Sequence, residues 1–277
     1  MTIRAVLALW LLLLGTAQAF ELKGEIAQGA LVMGQAAPGS KITLDNRAVP
    51  VAADGKFAIG FGRDAAATAQ LVVVDPGGAT ERRTLNVVKR SFPEQRVDGL
   101  PPAMVSPPPE VMERIKREID KINALRRIIT PLPDFAMAWQ WPAQGPITGV
   151  YGSRRVLNGK VDATHYGLDI GAPAGSPIVA PAAGTVVLAE DLYFTGLTAI
   201  VDHGLGVNST YAHMSAMDVT VGQKVHPGQK IGLIGMTGRA TGPHLHWGLN
   251  WFEVRLDPAL LMGPMPLPPA PAPPARH

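Results

Sequence analysis

The chain has 277 residues, a formal net charge of +3, 30 glycines and 26 prolines. This length allows two modest domains with separate cores, and the glycine and proline content favours turn-rich β structure over helical bundles. The small basic excess is not the concentrated patch that nucleic-acid binding needs, and the absence of cysteine from the sequence excludes disulfides, thiolate metal sites and a cysteine nucleophile.

Residues 1–19 have the pattern of a secretory signal peptide. Arg4 provides the positive charge, residues 5–14 form an apolar run, and residues 17–19 (Ala-Gln-Ala) form a small-x-small cleavage site. The apolar run is shorter than the roughly 20 residues that a membrane span needs. We therefore expect a mature protein that begins near Phe20, has no membrane span and is secreted across the inner membrane into the periplasm or cell envelope.

Residues 20–90 predict a small all-β sandwich domain. Apolar residues occupy alternate positions, as in residues 57–61, and turn-forming pairs such as Asp54-Gly55 separate these segments. The stretch has no histidine and no convergent group of carboxylates. It is therefore predicted to be a spacer, a binding module or a cover for a site elsewhere.

Residues 91–135 predict a proline-rich linker followed by an amphipathic helix. Six prolines between positions 93 and 109 give a connector of limited flexibility. A helix is predicted from Glu110 to about Arg127, because isoleucine and leucine recur there at helical spacing and acidic residues lie near its start. Its short length favours packing against one of the chain's own domains over binding an external partner.

Residues 136–262 predict a second β domain, an antiparallel sheet or barrel-sandwich. Glycines separate its apolar segments, which include 184–188, 219–225 and 230–234. Residues 263–277 are mostly proline and alanine and are predicted to form a disordered tail. The predicted fold class is mainly β, with a helix connecting the two domains.

Four residues of the second domain have spacings that suit a metal site. His244 and His246 alternate in a β-forming stretch, so their imidazoles share one strand face roughly 7 Å apart. His165 and Asp169 would be about 13 Å apart in a straight strand. Gly167 between them is where the chain can bend to bring them together.

A histidine, an aspartate and one histidine of the pair would form a three-ligand site with a fourth position for water, which is a catalytic zinc arrangement. Cobalt or manganese would also suit these ligands. Spacing does not decide which of His244 and His246 binds the metal. The sequence contains no His-Glu-x-x-His motif to supply a glutamate base, so the remaining histidines are the candidate proton carriers.

Several motifs occur together and in a fixed order: Trp141-Pro142, Gly149-Val150-Tyr151-Gly152-Ser153-Arg154, His165-x-Gly167-x-Asp169, Asp202-His203-Gly204, Tyr211-Ala212-His213-Met214-Ser215 and Gly242-Pro243-His244-Leu245-His246. With them, the stretch from about Trp141 to Pro258 resembles the catalytic domain of the lysostaphin/LytM-type zinc endopeptidases, which cut peptide crosslinks in bacterial peptidoglycan. The resemblance covers less than half of the chain and implies nothing for residues 20–90.

The resemblance implies that His165, Asp169 and His246 are ligands of Zn²⁺ and that His213 and His244 are catalytic. The implied function is hydrolysis of peptidoglycan peptide crosslinks. No separate wall-targeting repeat is present in the sequence, which favours the bond between D-alanine and diaminopimelate over a glycine bridge. Met214 replaces a leucine of many relatives, an apolar exchange that does not affect the metal site.

Two other classes of function compete with this one. Some members of the family have lost ligands and only activate other wall hydrolases, so a non-hydrolytic envelope scaffold or activator is the alternative. All five positions are filled here, which argues against it. A biotinyl or lipoyl carrier is suggested by residues 221–232, but residues 184–186 lack the lysine that such a carrier presents at a hairpin tip.

The domain order and the hinge-like prolines raise one further hypothesis, that the N-terminal domain covers the zinc cleft. Among the other candidates, His203 is predicted to be structural and His226 to be solvated in a loop. Arg154 and Arg155 lie near the predicted cleft, where they would either meet substrate carboxylates or be ordinary surface residues.

Overall fold

The computed structural model describes residues 20–266, without the side chains of 161–163. The predicted signal peptide and all but the first residues of the predicted tail lie outside this range. Within it, no helix combines the length and the apolar character that crossing a membrane requires.

Seven strands form the N-terminal sandwich: β1 (Phe20–Lys23), β2 (Leu31–Ala36), β3 (Lys41–Leu44), β4 (Arg47–Val49), β5 (Lys56–Gly60), β6 (Thr68–Val74) and β7 (Thr80–Asn86). One sheet has the order β1-β2-β5 and the other has the order β4-β3-β6-β7. Period-two burial explains the layers, since Ala69, Leu71 and Val73 of β6 are buried while Gln70, between Ala69 and Leu71, is exposed. The predicted alternation is thus confirmed.

The connector contains more regular structure than its composition predicts. It holds the strand β8 (Glu94–Val97) and the helices α1 (Pro102–Val105) and α2 (Pro109–Arg126). The predicted helix is α2, and Pro109 suits its first position because proline has no N–H to leave unpaired there. No periodic sequence pattern predicts β8, which forms by pairing with the strand Arg154–Leu157 of the second domain.

The second domain contributes twelve strands: β9 (Ile147–Gly149), β10 (Arg154–Leu157), β11 (Lys160–Thr164), β12 (Leu168–Gly171), β13 (Pro177–Val179), β14 (Gly184–Leu192), β15 (Gly196–Gly204), β16 (Val207–Met217), β17 (Lys224–Val225), β18 (Lys230–Ile234), β19 (His244–Trp251) and β20 (Val254–Leu256). Short 3₁₀ helices occupy Asp134–Ala136 and Pro258–Leu261. The fold is mainly β, as the sequence predicts.

Ten of these strands form one sheet, whose main path is β17-β14-β15-β16-β19-β12-β9. Beside it, β11 pairs with β10, and β8 of the connector joins β10 in parallel. The predicted strand at 219–225 is mostly wrong, because only Lys224–Val225 is extended. Gly222 has φ +88°, in the left-handed region, and turns the chain before the strand begins.

Helix α2 packs on the second domain, which confirms the prediction that it would bind within the chain. Ile122 and Leu125 lie against a small apolar cluster formed by β14 and β15. At the helix surface, Arg114 forms an ion pair with Asp191 of β14 at 3.3 Å, and Lys121 forms one with Glu190 at 2.7 Å.

The sandwich and the ten-stranded sheet share one hydrophobic core. Trp251 at the end of β19 and Leu256 of β20 are buried among the sandwich residues. A Cβ atom on Gly60 of β5 would lie only 2.9 Å from Cβ of Trp251, which shows how closely the two backbones approach. The N-terminal sandwich is therefore packed on the same strand that carries His244 and His246.

We predict that Trp251→Ala destabilises the whole chain and not one half. Removal of a buried tryptophan typically costs about 3–5 kcal/mol, and both halves lose contacts here. Calorimetry should show a lower midpoint for every unfolding transition, while Val221→Ala, at a position 61% exposed, leaves the profile unchanged. A variant whose second domain melts at the wild-type temperature would contradict the shared core.

Candidate metal centre and active site

Strand pairing brings the predicted metal ligands together. β12 and β19 are antiparallel neighbours, with Asp169 directly opposite His246. His165 lies in the bend before β12, so the predicted bend is present. Gly167 is required there by space as well, because a Cβ atom would clash with the imidazole of His246.

Three donor atoms converge within this cluster. His165 Nε2 is 3.0 Å from Asp169 Oδ1 and 3.0 Å from His246 Nδ1, and His246 Nδ1 is 2.9 Å from Asp169 Oδ1. His165 and Asp169 are each 5% exposed. The side chain of His246 is 18% exposed, so the triangle of donors is open on one side.

The hydrogen bonds of His165 test whether this triangle suits a cation. Its Nδ1 lies 3.0 Å from the carbonyl oxygen of Val150, which only accepts, so Nδ1 carries the proton of the neutral ring. Its Nε2 lone pair then faces Asp169 Oδ1 and His246 Nδ1. With neutral rings, the three facing atoms share at most one proton, the one on His246 Nδ1, so the space between them suits a cation. Two imidazole nitrogens and a carboxylate oxygen are a zinc ligand set.

The protonation states agree with this fit. Burial lowers the pKa of His246 to about 4, although its hydrogen bond to Asp169 acts in the opposite direction, so the ring is neutral at pH 7. Burial opposes ionisation of Asp169, but the neighbouring His165 and His246 hold its pKa well below the usual value. The group therefore presents one carboxylate and the neutral imidazole of His246 beside the ring of His165.

Arg155 holds the other oxygen of the aspartate. Its guanidinium donates to Asp169 Oδ2, and its Nε donates to Gln95 Oε1 at 3.3 Å. Gln95 belongs to β8, and its amide donates to the carbonyl of Thr148 at 2.9 Å. Arg155 is therefore not an ordinary surface residue, because its guanidinium is bound to a predicted ligand. Its contact with substrate stays a prediction, and Arg155 also lines both cavities beside the cluster.

Two further histidines face the same space. His213 Nδ1 is 2.7 Å from the carbonyl oxygen of Thr237, and His244 Nδ1 is 2.8 Å from that of Gly242. Each Nδ1 therefore carries the proton, and each Nε2 offers a lone pair. The two ring centroids are 4.8 Å apart, and His244 Nε2 lies 3.9 Å from Asp169 Oδ1.

The backbone of His213 is unusual for a strand residue. Its φ is +62°, in the left-handed region, where histidine occurs more often than most residues but still at an energetic cost. Burial, together with the neighbouring His244 and His246, lowers the pKa of His213 to about 3, so the ring enters any reaction neutral. No sequence pattern predicts this left-handed backbone conformation of His213.

Two cavities of about 230 and 240 Å³ border the cluster. One is lined by Asp169 and His244 together with Gln95 and Leu100 of the connector. The other contains His165, His213 and His246. None of the residues that line these two cavities belongs to 20–90, so the predicted cover by the N-terminal domain stays a prediction.

The remaining histidines behave as predicted where the structure describes them. His203 is fully buried, with Nδ1 2.5 Å from the carbonyl of Ala183 and Nε2 2.7 Å from Ser209 Oγ, which is a structural role. His226 is exposed in a loop. Arg154 is exposed and lies 3.9 Å from Glu94, as expected of a surface residue.

This geometry is that of a metallopeptidase site, with a histidine–aspartate–histidine cluster on an antiparallel sheet and two more histidines beside it. Comparison with known families agrees, since the sequence profile of peptidase family M23 matches residues 163–258. The chain belongs to peptidase family M23, in its lysostaphin/LytM-type branch.

A crystal structure of a putative peptidase M23 from Pseudomonas aeruginosa is similar over both domains, with a TM-score of 0.67 and 29% identity over 86% of this chain and 95% of that one. Peptidoglycan DD-endopeptidase ShyA of Vibrio cholerae is 42% identical over 87 residues, 31% of this chain and 20% of the relative. Murein hydrolase activator EnvC of Escherichia coli is 37% identical over 115 residues, 42% of this chain and 25% of the relative. The chain thus spans about a quarter or less of the length of these two curated relatives.

We predict that Arg155→Gln weakens metal binding without removing a ligand. The change releases the second oxygen of Asp169, and loss of such a supporting hydrogen bond typically lowers metal affinity about 10- to 100-fold. Competition against a chromogenic chelator measures this. Arg154→Gln, on the exposed neighbour in the same strand, should retain wild-type affinity; unchanged affinity in the Arg155 variant would contradict the supporting role.

Proposed function

We propose that the protein is a zinc-dependent endopeptidase that hydrolyses peptide crosslinks of bacterial peptidoglycan. In this proposal His165, Asp169 and His246 hold the Zn²⁺, and His213 and His244 are the catalytic histidines. The observation that carries the proposal is the convergence of three acceptor atoms, 2.9–3.0 Å apart, beside two imidazoles with free Nε2 lone pairs. A bound zinc ion would polarise the scissile carbonyl and lower the pKa of water.

The two catalytic histidines would manage the protons of amide hydrolysis. The water oxygen forms a bond to the carbonyl carbon, the C–N bond breaks, and the water proton passes to the leaving amine nitrogen. A neutral imidazole with a lone pair at Nε2 accepts that proton and, once protonated, donates at the same atom. A protonated ring also stabilises negative charge that develops on the carbonyl oxygen. His213 and His244 share these duties, because both Nδ1 atoms are already bound to backbone carbonyls.

The proposed scissile bond joins D-alanine to diaminopimelate. The V. cholerae relative is named a peptidoglycan DD-endopeptidase, which supports an attack on D-amino-acid crosslinks. The signal-peptide pattern of residues 1–19 supports a location of this proposed activity in the periplasm or cell envelope.

A non-hydrolytic activator is the second candidate function. One relative over 42% of the chain is named a murein hydrolase activator, so the M23 domain alone does not decide between the two. The donor geometry favours hydrolysis, since an activator has no use for three converging acceptors and two further imidazoles in one cleft.

We predict that two histidine substitutions separate metal binding from turnover. His246→Ala removes a ligand and should abolish zinc binding and activity together. His213→Ala should keep zinc and lose about 10²- to 10⁴-fold in turnover, because a general acid–base group contributes about that much. Zinc content is measured by elemental analysis and turnover by release of soluble muropeptides from purified sacculi.

The control for both substitutions is His226→Ala, which changes an exposed loop histidine and should affect neither quantity. A metal-free but fully active His246→Ala protein would overturn the ligand assignment. Loss of zinc from the His213→Ala variant would instead identify His213 as a metal ligand.

We also predict the products of the wild-type reaction. Digestion of diaminopimelate-type sacculi should convert crosslinked muropeptides into monomers with a free D-alanine carboxylate and a free diaminopimelate amine, as identified by mass spectrometry. A chelator should stop the reaction and added zinc should restore it. Stoichiometric zinc without any released muropeptide would favour the activator.

A further inference from the structure

A cavity of about 210 Å³ lies between helix α2 and the sheet, beside the metal centre. Aliphatic and aromatic side chains form one part of its walls: Ile115, Ile119, Ile122, Leu192, Phe194 and Ile200. The polar part includes the carboxylate of Glu118, which accepts from Arg114 Nε and from the backbone N–H of Tyr193. At one end it reaches His246 and Tyr166. The apolar walls suit an aliphatic group, whereas the arginines in the lining would be left without charged partners by a purely aliphatic ligand.

Arg126, the last residue of α2, is buried in this cavity, and no described carboxylate forms an ion pair with it. It is 6% exposed, and its Nε has no hydrogen-bond partner. One weak hydrogen bond runs from Nη1 to Asn123 Oδ1 at 3.3 Å, and within residues 20–266 the guanidinium forms no ion pair. Burial lowers its pKa to about 9, and the nearby charge of Arg255 acts in the same direction, while the charge of Glu253 acts in the opposite one.

Arg255 lines the same cavity. Its guanidinium carbon lies 5.9 Å from the centre of the Tyr166 ring, and among the described side chains it has no acidic partner. Burial lowers the pKa of Arg255 to about 10. Thr210 adds a third unsatisfied group, since its buried Oγ1 has no hydrogen-bond partner and the residue lines the cavity.

Two unpaired guanidinium groups in one apolar cavity are unfavourable unless an anion binds between them. Burial of an unpaired charge is costly, and two like charges repel more strongly where water is excluded. A carboxylate satisfies both groups, because its two oxygens match the forked N–H donors of arginine. The aliphatic walls further require that the carboxylate be attached to a hydrocarbon chain.

The cavity is continuous with the active site. Tyr166, Arg255 and His246 line both this cavity and the one that contains His165 and His213. A peptide held at the metal centre can therefore place the side chain next to its scissile bond against Arg255.

We propose that Arg126 and Arg255 bind a free carboxylate carried on an aliphatic side chain of the peptide substrate, in the residue that flanks the scissile bond. The inference rests on the proposed endopeptidase function and names a specificity site for it. Diaminopimelate has this chemistry, since a second carboxylate lies at the far end of its hydrocarbon chain. Its amidated form lacks the charge.

The test uses two crosslinked peptides that differ only in this group, one with the free carboxylate and one with the carboxamide. For the wild-type enzyme, kcat/KM should be about 10- to 100-fold higher for the acid, as expected for hydrogen bonds between charged groups. Arg255→Gln should reduce the ratio to about one by slowing cleavage of the acid and leaving the amide within about threefold of wild type.

Two further variants control for effects on folding. Arg126→Met should also abolish the preference, and it should raise Tm or leave it unchanged because it removes a buried unpaired charge. Arg117→Gln, an exposed arginine on the same helix, should retain the wild-type ratio. A wild-type ratio near one, or an unchanged preference in the Arg255 variant, would overturn the proposal.

Direct binding separates this inference from the proposed function. Calorimetry with the His213→Ala protein should show tighter binding of the acid than of the amide, and this readout needs no turnover. Tighter binding of the acid peptide, with no cleavage of either peptide by the wild-type enzyme, would contradict the endopeptidase proposal and support the anion site. Cleavage of both peptides, with equal affinity for the acid and the amide, would support the endopeptidase proposal and contradict the anion site.

Discussion

The buried carboxylate of Asp169 is the constraint on which the site depends. One of its oxygens meets His165 and His246, and the other is held by Arg155. A carboxylate this deeply buried is costly unless both oxygens are bound to positive or donor groups. Gly149 and Gly167 are glycines because the carboxylate with its arginine, and the imidazole of His246, occupy the space that a Cβ would need.

The orientation of each imidazole follows from the backbone around it. His165, His213 and His244 each bind a carbonyl oxygen through Nδ1 and therefore present Nε2 to the cleft. His246 presents Nδ1 instead, because it stands opposite Asp169 in the strand pair and its Nδ1 reaches the carboxylate directly. Fixed tautomers reduce the reorganisation that proton transfer would need, so the same backbone contacts serve both the proposed metal site and the proposed catalysis.

The N-terminal sandwich stabilises the strand that carries the histidine pair. Trp251 lies seven residues after His244 on β19 and is buried in the core shared with the sandwich. Arg90 strengthens this junction through an ion pair of 2.7 Å with the buried Asp257. The sandwich therefore contributes to the rigidity of the site, whereas the connector supplies its walls through Gln95 and Leu100.

The sequence by itself determined the mainly β fold and the helix α2, and it supplied the five residues that the proposed site uses, because period-two patterns, helical spacing and motif order are local signals. Only the tertiary structure decided the strand β8, the left-handed backbone of His213 and the attachment of Arg155 to Asp169. Each of these depends on a contact between segments far apart in the chain, such as Gln95 with Arg155, sixty residues away. The anion cavity has the same origin, since Arg126 and Arg255 come close only after α2 packs on the sheet. Neither arginine has a local pattern that distinguishes it from an ordinary surface residue, because burial is a property of the fold and not of the neighbouring residues.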